Sequence, residues 1–111
     1  MKVYISLPIT GKDIEEQKRH AEDVASFLLM AGHTPVSPFN NGLDINASHE
    51  EHMMADIRLL LDCDAVFMCK GAAFSVGCLL EDEVATKCGL TVVTEYMPID
   101  EVIDKLKGGG R

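Results

Sequence analysis

Two carboxylates stand where apolar side chains are expected. Glu81 lies in "FSVGCLLEDE" (74–83), on a stripe with Gly77, Cys78, Val84, Ala85 and Cys88 at i, i+3/i+4, i+7 spacing. Every other member of that stripe is small or apolar, whereas Asp82, Glu83 and Lys87 fall off it. Asp56 sits between Met53 and Leu60 on the apolar side of an earlier helix, with His52 one turn before it. A carboxylate facing a core costs free energy unless it is paired, hydrogen-bonded or open to a cavity. The ordinary readings are a Glu81 that reaches water from the stripe's edge and a local His52–Asp56 pair. The chemical reading is two carboxyls facing one pocket. One, ionised, attacks an acetal-like carbon, and the other holds a proton for the leaving group.

Phosphate-binding positions are present but weak when taken singly. Thr10, Gly11 and Lys12 precede a helix start, and Ser75 with the following N–H groups precedes another. Neither loop carries a Walker A or G-x-G-x-x-G pattern, and Ser75 is not in a G-x-S-x-G elbow.

Helices and strands must bring these groups together. "KVYIS" (2–6), "HTPVSP" (33–38), "DAVFMC" (64–69) and "LTVVT" (90–94) read as strands. Between them, helical spacing runs over 13–30, 48–62 and 76–88, and "IDEVIDKLK" (99–107) closes the pattern with Pro98 at its first position. Ser48 and Glu51 have the form of a capping box. Helix two is expected to bury Met53, Ile57, Leu60 and Leu61, and residues 39–47 read as a loop without period. This β-α-β-α-β-α-β-α order implies a small doubly wound, flavodoxin-like α/β three-layer sandwich. Its sheet would be four-stranded and parallel, in order 2-1-3-4. The ligand site is then expected beyond the carboxyl ends of the strands, among loops 7–13, 38–48 and 70–77.

Composition narrows the classes. One domain over residues 1–107 is expected from 111 residues, with 108–111 as a flexible tail. A net charge of −8 argues against a nucleic-acid polymer or an anionic membrane surface as partner. Cys63, Cys69, Cys78 and Cys88 form no C-x-x-C pair. They read as reduced, mostly buried thiols of a cytoplasmic protein, with no metal and no cofactor expected. Cys78, near a helix start, is the one whose thiol could be acidified. Neither a signal peptide nor a membrane span is read. Met30, Met53 and Met54 read as core or subunit interface.

The motifs "VYISLPITG", "VSPF", "DIRLLLDCDAVFM" and "SVGCLLE" resemble the nucleoside 2-deoxyribosyltransferase-like superfamily, in particular its nucleotide N-glycosidase branch. The resemblance covers residues 1 to about 94. It implies cleavage of the N-glycosidic bond of a (deoxy)nucleoside 5′-monophosphate or nucleoside through a glutamyl-sugar intermediate. Glu81 would be the nucleophile, Asp56 the acid that assists departure of the base, and Tyr4 the residue that orients Glu81. Ser75, Gly77, Pro8, Thr10 and Gly11 would bind the substrate and its phosphate, and Phe39 or Phe74 would stack on the base. The resemblance also implies a homo-oligomer, a dimer or higher, with helix two and Met53-Met54 as the expected contact. The chain departs from the family pattern at Leu7, where a Gly is usual, and at Gly71-Ala72-Ala73, which lacks an aromatic. These departures motivate the alternative, a weak or inactive nucleotide-binding module of the same fold.

Overall fold

The computed structural model describes residues 1–44 and 46–108. Four strands, β1 (Lys2–Ser6), β2 (Thr34–Val36), β3 (Ala65–Met68) and β4 (Thr91–Thr94), alternate with four helices, α1 (Ile14–Met30), α2 (His49–Leu61), α3 (Val76–Lys87) and α4 (Ile99–Lys107). All strand pairs are parallel, and the sheet order is β2-β1-β3-β4. The chain leaves β1 toward β2 on one side and later places β3 on the other. The order therefore reverses between β1 and β3, the place where an open α/β sheet leaves a crevice.

Two cores sandwich this sheet. Val3, Ile5 and Leu7 point to one face and pack with Ala21, Val24 and Leu28 of α1 and Val102 and Leu106 of α4. Tyr4 points to the other face and packs with Leu60 of α2 and Cys78 and Ala85 of α3. The period-2 alternation of β1 thus assigns its residues to opposite layers. β3 is buried throughout, as expected for a strand covered on both faces.

Local chemistry sets the helix ends. Asp13 accepts from the N–H groups of Glu15 and Glu16 and starts α1. The Ser48–Glu51 capping box is formed in full. Ser75 accepts from Cys78 N–H at the start of α3. Several expectations are corrected. Pro98 is the N-cap of α4, one residue before the first helical position. Residues Pro38–Asn40 form a 3-10 turn that takes in the last residue of the stretch read as strand and the first two of the loop read as aperiodic, started by the Ser37 hydroxyl accepting from Phe39 N–H. Leu61 and Cys88 are exposed, because each lies in the last turn or just past the end of a helix, beyond the layer it packs against. Gly108 ends α4, and the rest of the expected tail lies outside the described residues. No helix among the described residues is long and apolar enough to cross a membrane.

Candidate active site

A cavity of about 520 Å³ opens beyond the carboxyl ends of the strands. The loop after β1, the loop after β2 and the start of α3 all contribute to its wall, together with the first turns of α1 and α2. Thr10, Phe39, Asp56, Ser75, Gly77 and Glu81 line it together. Residues separated by as many as 71 positions (10 to 81) therefore share one pocket.

Glu81 is held from the sheet side. The Tyr4 hydroxyl donates to Oε2 at 2.7 Å and the Ser6 hydroxyl to Oε1 at 2.6 Å. Tyr4 and Ser6 are alternate residues of β1, so both project onto the face that α3 covers. Glu81 is 8% exposed, and Tyr4 and Ser6 are fully buried. Burial pushes the Glu81 carboxyl up to about 7, and the Ser6 and Tyr4 hydrogen bonds only partly offset this. The charge of Asp56 adds to the upward shift. The Tyr4 phenol is raised well above its usual range by burial and by Glu81. It stays protonated and can only donate to the carboxylate.

Asp56 is fixed differently. The Asn41 side-chain amide donates to Asp56 Oδ1 at 2.9 Å and lies 3.0 Å from His52 Nδ1. The expected direct His52–Asp56 pair is thus bridged by a residue of the loop after β2. Burial raises the Asp56 carboxyl, while Asn41 and His52 pull it back. The two carboxyls line the same pocket.

The remaining expected residues fall into two groups. Ser75 uses its oxygen to cap α3 yet still faces the cavity, with Gly77 beside it. Lys18 of α1 reaches the wall with its ammonium 6.0 Å from the Phe39 ring centre, the one aromatic of the two expected that lines the cavity. Phe74 is 94% exposed and outside the lining. Pro8 is buried and packs at the base of the third loop, where a Cβ on Gly71 would lie 3.4 Å from Pro8 Cγ. Gly71 also has φ +87°, a left-handed conformation that suits glycine. Pro8 and Gly11 frame the site without lining the cavity. Leu7 is 4% exposed and sits mainly in the α1/α4 core, so it forms floor rather than obstruction. The Cys78 thiol is pushed up by burial, which outweighs its hydrogen bonds with Ser6 and Ser75 and speaks against a thiolate nucleophile.

Sequence reasoning passed over Ser6, Asn41 and Lys18. Ser6 had a signal, a polar residue two positions after Tyr4 in an apolar strand. Asn41 had none, since it lies in a loop without period.

Over 93% of this chain and 80% of its own, a 2-deoxyribosyltransferase from Bacillus psychrosaccharolyticus superposes with a TM-score of 0.66 and 23% identity. The Clostridium botulinum CMP N-glycosidase matches 94% of this chain and 81% of its own, with a TM-score of 0.59 and 18% identity. A 2-deoxyribosyltransferase from Leishmania mexicana matches 91% and 69%, with a TM-score of 0.66 and 17% identity. Among curated proteins, none matches the chain. Residues 1–94 match the family described as Domain of unknown function (DUF4406). The chain belongs to the DUF4406 family, and it shares its fold with these two 2-deoxyribosyltransferases and the CMP N-glycosidase.

Proposed function

We propose that this protein cleaves the N-glycosidic bond of a nucleoside 5′-monophosphate or nucleoside, with Glu81 as nucleophile. The observation that carries this reading is a buried glutamate, open to a cavity of nucleotide-compatible size, gripped from behind by two hydroxyl donors. The relatives' activities on deoxyribosyl groups and on CMP support it by analogy of fold.

A Glu81 oxygen attacks C1′ as the C1′–N bond breaks, and the bonding pair leaves with the base. Asp56 gives its proton to the departing base. The transition state resembles an oxocarbenium ion, which a carboxylate stabilises strongly in a site that excludes water. Water then attacks C1′ and expels Glu81, while Asp56 takes a proton from that water. A second base in place of water would make the reaction a transfer. Tyr4 and Ser6 keep the Glu81 carboxylate oriented by donating to both oxygens. At the mouth, the Ser75 hydroxyl, the N–H groups at the start of α3 and the Lys18 ammonium suit a 5′-phosphate. Phe39 offers an apolar face for the base.

Self-association is part of this reading: Met54 of α2 is 63% exposed, and Leu61 and Leu79 add exposed apolar area on α2 and α3. A dimer in size-exclusion chromatography supports it, and a monomer at high concentration removes it. The activity itself is tested with a panel of nucleosides and their 5′-monophosphates, read by release of free base. Release from at least one member is expected. A well-folded protein that releases none refutes the reading.

A further inference from the structure

A second cluster of reactive side chains lies on the other face of the sheet. His20 of α1, Cys69 just after β3 and Glu95 just after β4 bring a ring nitrogen, a sulfur and a carboxylate oxygen within 4.8 Å of one another. His20 Nε2 lies 2.9 and 3.0 Å from the two Glu95 oxygens. Cys69 is 1% exposed and forms the base, whereas the His20 and Glu95 side chains are 30% and 24% exposed. They open onto a cleft between α1 and α4 of about 440 Å³, which Asp23 also lines. Glu81 and its pocket use none of these groups.

We infer that His20, Cys69 and Glu95 form a zinc site, with the fourth position facing the α1/α4 cleft. The donor set fits zinc, which accepts imidazole nitrogen, thiolate sulfur and carboxylate oxygen in one tetrahedral shell. Donor atoms around such an ion stand roughly 3.5 Å apart, so small side-chain adjustments close the set. Glu95 is prepared for the role, because Lys70 N–H donates to its Oε1 at 2.8 Å and leaves Oε2 available. His20 reaches the ion through Nε2, which then gives up its hydrogen bond to Glu95. On binding, the Cys69 thiol loses its proton to solvent, and the thiolate and carboxylate together balance the two positive charges. Asp23, one turn after His20, lines the same cleft. The bound ion ties α1 to the end of β3 and the segment after β4, two segments already joined by Lys70 N–H to Glu95 and by Glu95 N–H to the Met68 carbonyl.

The test is titration of chelator-stripped full-length protein with zinc chloride, paired with absorption spectra of the cobalt(II) form. One zinc per chain with submicromolar affinity is expected, together with a thiolate-to-cobalt charge-transfer band. Cys69→Ser abolishes the band, and His20→Gln weakens zinc binding by more than about 100-fold, beyond what orienting partners command. His33→Gln, at a histidine outside both clusters, leaves affinity unchanged. The wild-type cobalt spectrum needs no variant, so it decides the matter even if Cys69→Ser fails to fold. A cobalt form without the band, or equal zinc affinity in wild type and His20→Gln, overturns the site and leaves an ordinary histidine–glutamate pair. None of these readouts depends on the activity proposed for Glu81.

Discussion

Two glutamates flank the sheet on opposite faces, and their surroundings differ in kind. Glu81 is buried and accepts hydrogen bonds from two neutral hydroxyls. Glu95 is partly exposed and receives a backbone N–H and a histidine ring. Neutral donors orient a carboxylate without fully offsetting the cost of its burial, so Glu81 sits with its proton equilibrium near 7. A partly solvated carboxylate beside a histidine suits a tie between elements, or a ligand set. The same residue type thus becomes a candidate reactive group on one face and a structural or metal-binding group on the other.

The largest effect that would sharpen this contrast concerns chemistry. Glu81→Ala is expected to lower base release by on the order of 10⁴-fold or more, as loss of a nucleophile does. Steady-state rates on the best substrate of the panel check this. Asp56→Asn is expected to cost roughly 10²–10⁴-fold, the range for a general acid. Its deficit should shrink on substrates whose base departs without a proton. An equal loss on all substrates would break the assignment of Asp56 as acid.

The next effect is on stability. The Glu81 carboxyl rises from 4.5 to about 7 on folding, so the folded state binds its proton more tightly than the unfolded state does. That contribution is complete below about pH 4.5 and is lost as pH rises through about 7. Above that, the wild type carries the full cost of a buried charge, on the order of 3 kcal/mol. Glu81→Gln carries no such charge. It should therefore be more stable than wild type at pH 8, with the gain vanishing near pH 4.5. Denaturant titrations at the two pH values measure it. Equal stability at both would mean that Glu81 is better solvated than its burial indicates.

A smaller effect separates orientation from bulk packing. Tyr4→Phe removes one donor to the ionised carboxylate and raises the Glu81 proton affinity further. Activity that rises with pH as Glu81 ionises should then rise about one unit later in the variant. A rate loss with an unmoved pH profile would reduce Tyr4 to a packing residue.

Much of this arrangement was legible before any coordinates. The parallel 2-1-3-4 sheet follows from alternating strand and helix patterns with short connections, because few topologies satisfy them. Glu81 stood out because one carboxylate interrupted a small-residue stripe, and the stripe does bury Cys78, Glu81 and Ala85. The same periodicity misplaced Cys88 and Leu61, since spacing says which side a residue is on but not whether the neighbouring layer extends that far. Ser6 was readable in principle from strand alternation. Asn41 was not, because its contact with Asp56 is made by a loop whose path depends on the 3-10 turn Pro38–Asn40 and the packing around it. The His20–Cys69–Glu95 cluster joins three elements, and no spacing in the chain announces it.

The most direct measurement of the central claim is peptide mass spectrometry on wild-type protein acid-quenched during turnover of its best substrate. The account predicts the substrate's sugar covalently attached to the peptide that contains Glu81, and no such adduct in Glu81→Gln. Undiminished base release by Glu81→Gln, or a sugar attached to a different residue, would contradict it.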